Sequence, residues 1–293
     1  MEKASQYNSG MYLYGHFGNM EEFGHMKALI FLSILLWEPI TWAAQLNLEL
    51  EGNSQIWQTE NLLNHPLSQT ITIPKDVAYK RDMSYRAIPL AALLTGVAAG
   101  DHIQVIATDG FVAELSAALL LNTQGSRAWL AIENQAEPWP LLPIRDHSAG
   151  PFYMVWTDPQ ANNISPEQWP FQIASIKLMP HVSERFPALL PAPELTADDP
   201  VKQGFELFQK HCMACHTMNG AGDARFGPDL NIPYNPTEYF QEKFLKRYIR
   251  DPQSLRKWPQ AKMPEFSVSV ISDKELDMLT AYLKHMSGRK ITP

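Results

Sequence analysis

Both cysteines of this 293-residue chain lie inside one pentapeptide, Cys212-Met-Ala-Cys215-His216. No second pair remains to staple a small scaffold, and a multi-cysteine iron–sulfur centre is excluded. The fold must therefore rest on packed cores. A composition that is 45% hydrophobic and 19% charged is suited to that. C-x-x-C-H is also the attachment sequence for c-type haem. The reason is geometric: two thiols on one turn add to two vinyl groups, and the neighbouring imidazole reaches the iron. A zinc clasp would need two more ligands, and a redox dithiol usually sits on a βαβ pattern. A disulfide across so short a span leaves His216 without a role.

The amino terminus has the plan of an export signal. Lys27 precedes an apolar or small run, Ala28 to Trp37, and Thr41-Trp42-Ala43 offers a small-residue cleavage site. Residues 26–43 are thus expected to be a signal peptide, and residues 1–43 a leader absent from the mature fold. The run is shorter than the about 20 residues a spanning helix needs, so membrane contact is expected only if the signal stays as an uncleaved anchor. Met26-Lys27 is a natural start, which makes residues 1–25 read as an over-extended frame. The expected location is the periplasm, because bacterial c-type maturation occurs outside the cytoplasmic membrane.

The remainder divides at residues 186–200, a stretch with four prolines that predicts an extended linker. Residues 44–200 hold 8 basic and 17 acidic side chains, a balance of -9. Residues 201–293 hold 14 basic and 10 acidic, a balance of +4. Such asymmetry suggests domains that face different partners or each other. The overall charge of -7 argues against a nucleic-acid partner. Residues 44–185 predict an α+β domain. Ile103–Thr108 and Phe111–Leu115 flank Asp109-Gly110, a dipeptide favoured in two-residue hairpins. Further strands are expected over 128–132, 152–156 and 171–178, and a short helix over 85–96. Residues 201–293 predict helices over 201–211, over 237–250 with Thr237 as cap, and from Ser272, which opens a capping box with Glu275.

A haem iron needs a ligand opposite His216. Met263, Met278, Met286 and His285 are the candidates. Met278 and Met286 sit in the last helix, where methionine more often fills core. Met263, on an extended segment and followed by Pro264, is the better choice. At this point residues 198–290 resemble the class I cytochromes c. Gly204 and Phe208 are similar to that family's first-helix contact, and Leu279, Tyr282 and Leu283 to its partner on the last helix. Met263-Pro264 matches the axial methionine loop. The resemblance implies an all-α domain with one covalent haem c. It also implies that the Pro228 carbonyl receives the N–H of His216 and orients it. His216 and Met263 would then be the metal ligands. Such ligation raises the potential and suits electron transfer. Basic residues from Lys243 to Lys262 would steer an acidic redox partner protein, or simply form a solvated face.

Residues 68–178 resemble the molybdopterin-binding domain of the sulfite-oxidase type. The resemblance rests on Ile88-Pro-Leu-Ala-Ala-Leu-Leu94, Ala107-Thr-Asp-Gly-Phe111, Ala128-Trp-Leu-Ala-Ile132, Gly150-Pro-Phe-Tyr153 and 167–176. That family binds molybdenum through a cysteine thiolate upstream of the segment matching Ile88. Here residues 73–85 contain no cysteine. A molybdopterin centre is therefore not expected. The first domain reads as a non-catalytic binding or docking module, and the chain as an electron carrier rather than a catalyst. The alternative is a cytochrome-linked oxidoreductase whose first domain oxidises a small substrate. His102, Asp146, His147 and Asp158 have no recognisable catalytic spacing, and His102, in a turn, is expected to be solvated.

Overall fold

The computed structural model describes residues 44–143, 145–258 and 260–291. The expected leader, residues 1–43 with its signal at 26–43, lies outside the described residues. Among the described residues, no helix is long and apolar enough to cross a membrane.

Residues 44–179 build two sheets. Strands β1 (Gln45–Leu50), β2 (Asn53–Gln58), β5 (His102–Ala107), β6 (Val112–Ser116) and β9 (Ile173–Met179) form the first, in the order β2-β1-β9-β5-β6. Only the β1–β9 pair is parallel. The second, wholly antiparallel sheet runs β3-β4-β7-β8, from β3 (Gln69–Ile73), β4 (Met83–Pro89), β7 (Arg127–Ile132) and β8 (Phe152–Thr157). Short helices α1 (Thr59–Leu63) and α2 (Ala117–Leu120) connect them. One apolar core draws on both sheets, with Leu46, Val105 and Ile176 from the first and Tyr85, Leu130 and Met154 from the second.

Two local readings of the sequence need correction. The segment 85–96 holds no α-helix: β4 runs to Pro89, a 3-10 turn, Leu90–Ala92, follows, and the rest is turn and loop. Met83, Tyr85 and Ala87 are buried while Ser84 and Arg86 are exposed, the period of two that a strand requires. Ile88 and Leu90, buried in succession, imitate a helical stripe. The β5–β6 connection is a three-residue loop, not a two-residue one. Gly110 N–H donates to the Ala107 carbonyl at 3.2 Å, and Ala107 N–H to the Phe111 carbonyl at 2.9 Å. Gly110 takes φ of 91°, the left-handed position of this loop class. The tight two-residue turn is Glu51-Gly52, with φ of 40° and 74° between the paired Leu50 and Asn53.

Helix α3 (Val182–Arg185) begins the second region. Then come α4 (Pro200–His211), α5 (Pro236–Tyr239), α6 (Glu242–Arg250) and α7 (Asp273–Ser287). The expected helix over 237–250 is therefore broken at Phe240-Gln241, and Asn235, not Thr237, caps it, accepting from Thr237 N–H. Ser272 and Glu275 close the capping box that opens α7. The proline-rich stretch is no free spacer. Leu189 is buried, its carbonyl accepts from the Tyr282 hydroxyl at 2.7 Å, and Ala192 N–H donates to His285 Nε2. Helices α4 and α7 cross at Gly204. A Cβ there would stand 2.1 Å from the Met278 carbonyl oxygen, so glycine alone permits the approach.

Candidate functional site

Helix α4 is held at its start by Asp199, which accepts from Val201 N–H, and by Pro200 in the first turn. It delivers Cys212, Cys215 and His216 at its carboxyl end. Both sulfurs are free thiols. Burial, with the Glu167 carboxylate nearby, pushes the Cys212 thiol well above the usual range and Cys215 up to about 12. Among the described residues, no group of three or more His, Cys, Asp or Glu side chains is arranged to hold a metal ion.

His216 Nδ1 lies 2.7 Å from the Pro228 carbonyl oxygen. A carbonyl only accepts, so the proton sits on Nδ1 and the Nε2 lone pair is left for a metal. Burial depresses the imidazole's affinity for a second proton, against the opposing pull of the Pro228 carbonyl. The backbone closes in on the ring at Gly227, where a Cβ would meet His216 Cε1 at 2.5 Å. Two thiols, an imidazole of fixed tautomer and a side-chain-free wall against it fit the donor set of a c-type haem.

A polar frame holds the loop after the motif. The Asp229 carboxylate accepts from Thr217 Oγ1 and from the N–H groups of Asn219, Gly220, Asn231 and Ile232. Burial opposes its ionisation, but these donors outweigh burial and lower its pKa. Asn219, Asn231 and Asn235 bond in series, and Asn231 and Asn235 reach the α7 carbonyls of Met286 and Leu283.

Met263 is half-buried and packs against the helical core. Its segment is tied to the end of α6: Phe266 N–H donates to Ile249 and Arg250, and Arg250 Nη1 donates to the Phe266 carbonyl at 3.0 Å. Lys262 Nζ stands 4.9 Å from the centre of the Phe226 ring, joining the methionine segment to the loop that holds His216. Of the other candidates, Met286 is 1% exposed in the core, His285 Nε2 accepts from Ala192 N–H, and Met278 is half-buried on α7. Of the basic residues in sequence around Met263, Lys246 pairs with Glu242 and Asp277, and Arg250 with Asp273.

In the first region His102 is not solvated as expected. It opens β5, and its Nε2 lies 2.5 Å from Glu114 Oε2. His147 contacts the Ser148 carbonyl and the Gln172 amide. Neither joins a catalytic constellation with Asp146 or Asp158. Asp76 is fully buried, accepting from the Ala78 and Tyr79 N–H groups and from the Tyr85 and Tyr153 hydroxyls. It stands in the cysteine-free segment, and nothing in its sequence context marks it as buried. The asparagine series is equally unmarked, whereas Gly227 and Asp229 belong to Gly227-Pro228-Asp-Leu230, a segment similar to that of the class I cytochromes c, in which only Pro228 is assigned a role.

Residues 201–287 match the sequence model of the cytochrome c family. No curated protein matches the chain. The helical region is thus a cytochrome c domain, which implies covalently bound haem c and haem-based electron transfer.

Proposed function

We propose that the chain is an exported monohaem c-type cytochrome that passes single electrons to and from a redox partner protein. In this reading Cys212 and Cys215 would bind the haem covalently, and His216 and Met263 would hold its iron. The β-rich region, similar to the sulfite-oxidase-type molybdopterin-binding domain, serves as a non-catalytic docking module. The bound group supplies a one-electron iron couple. The chain supplies orientation: Pro228 and Gly227 hold the His216 ring, and the segment pinned by Phe266 presents Met263. The observation that carries the reading is the 2.7 Å contact between His216 Nδ1 and the Pro228 carbonyl, beside two free thiols at one helix end. Export is supported by the apolar run and cleavage pattern within residues 26–43.

Intact-mass analysis after expression with c-type maturation tests attachment and export together. The expected species begins near Ala44 and carries the mass of one haem that survives denaturation. Complete loss of haem into acid-acetone would refute the attachment, and a mature chain beginning at Met1 would refute the export.

A further inference from the structure

We propose that the β-rich region is a fixed cover over the haem-attachment motif of its own chain, clamped there through Arg185. The inference rests on the reading that Cys212 and Cys215 carry haem, and it gives the β-rich region a stated partner.

The two regions keep separate apolar cores, so their contact must be held by something other than a shared hydrophobic interior. That something is a polar network centred on Arg185. Its Nη2 donates to Glu114 Oε1 at 2.6 Å on β6, and its Nη1 to Asp223 Oδ2 at 2.6 Å beyond the haem motif. Gln104 Nε2 bonds to the same two carboxylates, at 2.8 and 2.6 Å. The Glu114 side chain is 2% exposed and Arg185 11%, so this is a desolvated pair rather than a surface one. Opening would exchange these charge-assisted hydrogen bonds for water, and removing one partner would leave a buried charge uncompensated.

The contact also grips the motif by its backbone. Val112 N–H, at the start of edge strand β6, donates to the carbonyl of Ala214, between the two cysteines, at 3.2 Å. Just before the motif, Lys210 Nζ donates to the Asn163 carbonyl at 3.0 Å, and His211 Nδ1 lies 3.3 Å from Glu167 Oε2. Ala214 is buried at this contact, whereas Met213 packs into the helical core. Water and partner proteins are excluded from this side of the motif. Exchange is left to the surface beside the methionine segment, where Trp258 is 58% and Val268 59% exposed. Because solvent exposure tunes haem potential, the cover is also a determinant of the potential.

The test uses the full-length holoprotein with Arg185→Ala, Arg185→Lys and Asp223→Ala. Arg185→Ala leaves the buried Glu114 carboxylate with His102 and Gln104 only, so the charge-keeping Arg185→Lys and the partly exposed Asp223→Ala keep the clamp testable if the first variant loosens the fold. Hydrogen exchange in segments 109–114 and 210–216 is expected to rise about tenfold or more in both alanine variants, with β8 unchanged, and Lys to restore part of the protection. The haem potential is expected to fall in parallel. Unchanged exchange in both alanine variants would overturn the clamp, and raised exchange at an unchanged potential would overturn the covering role. Exchange is readable with or without haem, so loss of haem would refute the cytochrome reading without deciding the clamp.

Discussion

Gly227 has no side chain because the His216 ring occupies the space one would need. Alanine there must push the imidazole or the loop, and the Pro228 carbonyl that fixes the tautomer moves with it. Gly227→Ala is expected to weaken axial histidine ligation, visible as a shifted Soret band and a lower potential. Met263→Ala acts on the opposite face: it is expected to open the sixth position, lower the potential and let added imidazole bind. The same behaviour from Met286→Ala would move the ligand assignment into α7. Candidate attachment residues stand out in the sequence because vinyl chemistry demands thiols and the chain has two, whereas 12 methionines leave the proposed second ligand to be chosen by context. Gly227 and Asp229 are not legible on those terms. One acts by what it lacks and the other through backbone donors, and neither leaves a distinctive side-chain pattern.

Elements with strong local punctuation emerge from the sequence close to where they stand. Ser272 and Glu275 announce α7, and Asp199-Pro200 announces α4. Segment 85–96 shows the opposite case, since a strand buried on both faces near its end loses its alternation and imitates a helix. The break at Phe240-Gln241 was hidden for a related reason. The polar residues of 237–250 suit one exposed helix, and only packing of Phe240 against Tyr248, ring centres 5.5 Å apart, shows the chain turning. The α4–α7 crossing yields the sharpest element-level expectation. With backbone carbonyl rather than a flexible side chain in the way, Gly204→Ala cannot be relieved by a rotamer change. It is expected to cost about 2 kcal/mol or more by overpacking, measured as a loss of unfolding free energy in denaturant.

Across the whole molecule, the charge asymmetry read from the sequence is scarcely spent at the seam: Arg185, which pairs with Glu114 and Asp223, belongs to the acidic stretch 44–200, and among the described residues only Glu167 meets a residue of the basic stretch, His211. What the sequence could not show is the opposite sense in which two aspartates titrate. Burial raises the pKa of Asp76 despite its four donors, whereas donors outweigh burial and lower that of Asp229. Asp229 therefore contributes stability that is present above the ordinary aspartate pKa and lost as pH falls through its depressed value. Asp76 contributes stability that is present below the ordinary value and lost as pH rises through its elevated one. Asparagine separates the two. At Asp76 the amide oxygen retains the Ala78 and Tyr79 N–H bonds, while the amide nitrogen donates to the Tyr85 hydroxyl, so only the charge is removed. Asp76→Asn is expected to gain stability relative to the parent as pH rises from about 4 toward 7. Asp229→Asn, whose amide nitrogen would face backbone donors, is expected to be less stable than the parent by a nearly constant amount above the ordinary aspartate pKa, the deficit shrinking only as pH falls below about 4. Denaturant unfolding of both holoproteins from about pH 3 to 7 measures the two differences, and an Asp76→Asn difference that does not grow as pH rises above about 4 would refute the assignment of Asp76 as a carboxyl held against its charge. Asp76→Leu removes the acceptors altogether and is expected to cost about 3 kcal/mol or more at any pH, because two N–H groups and two hydroxyls are left buried without partners.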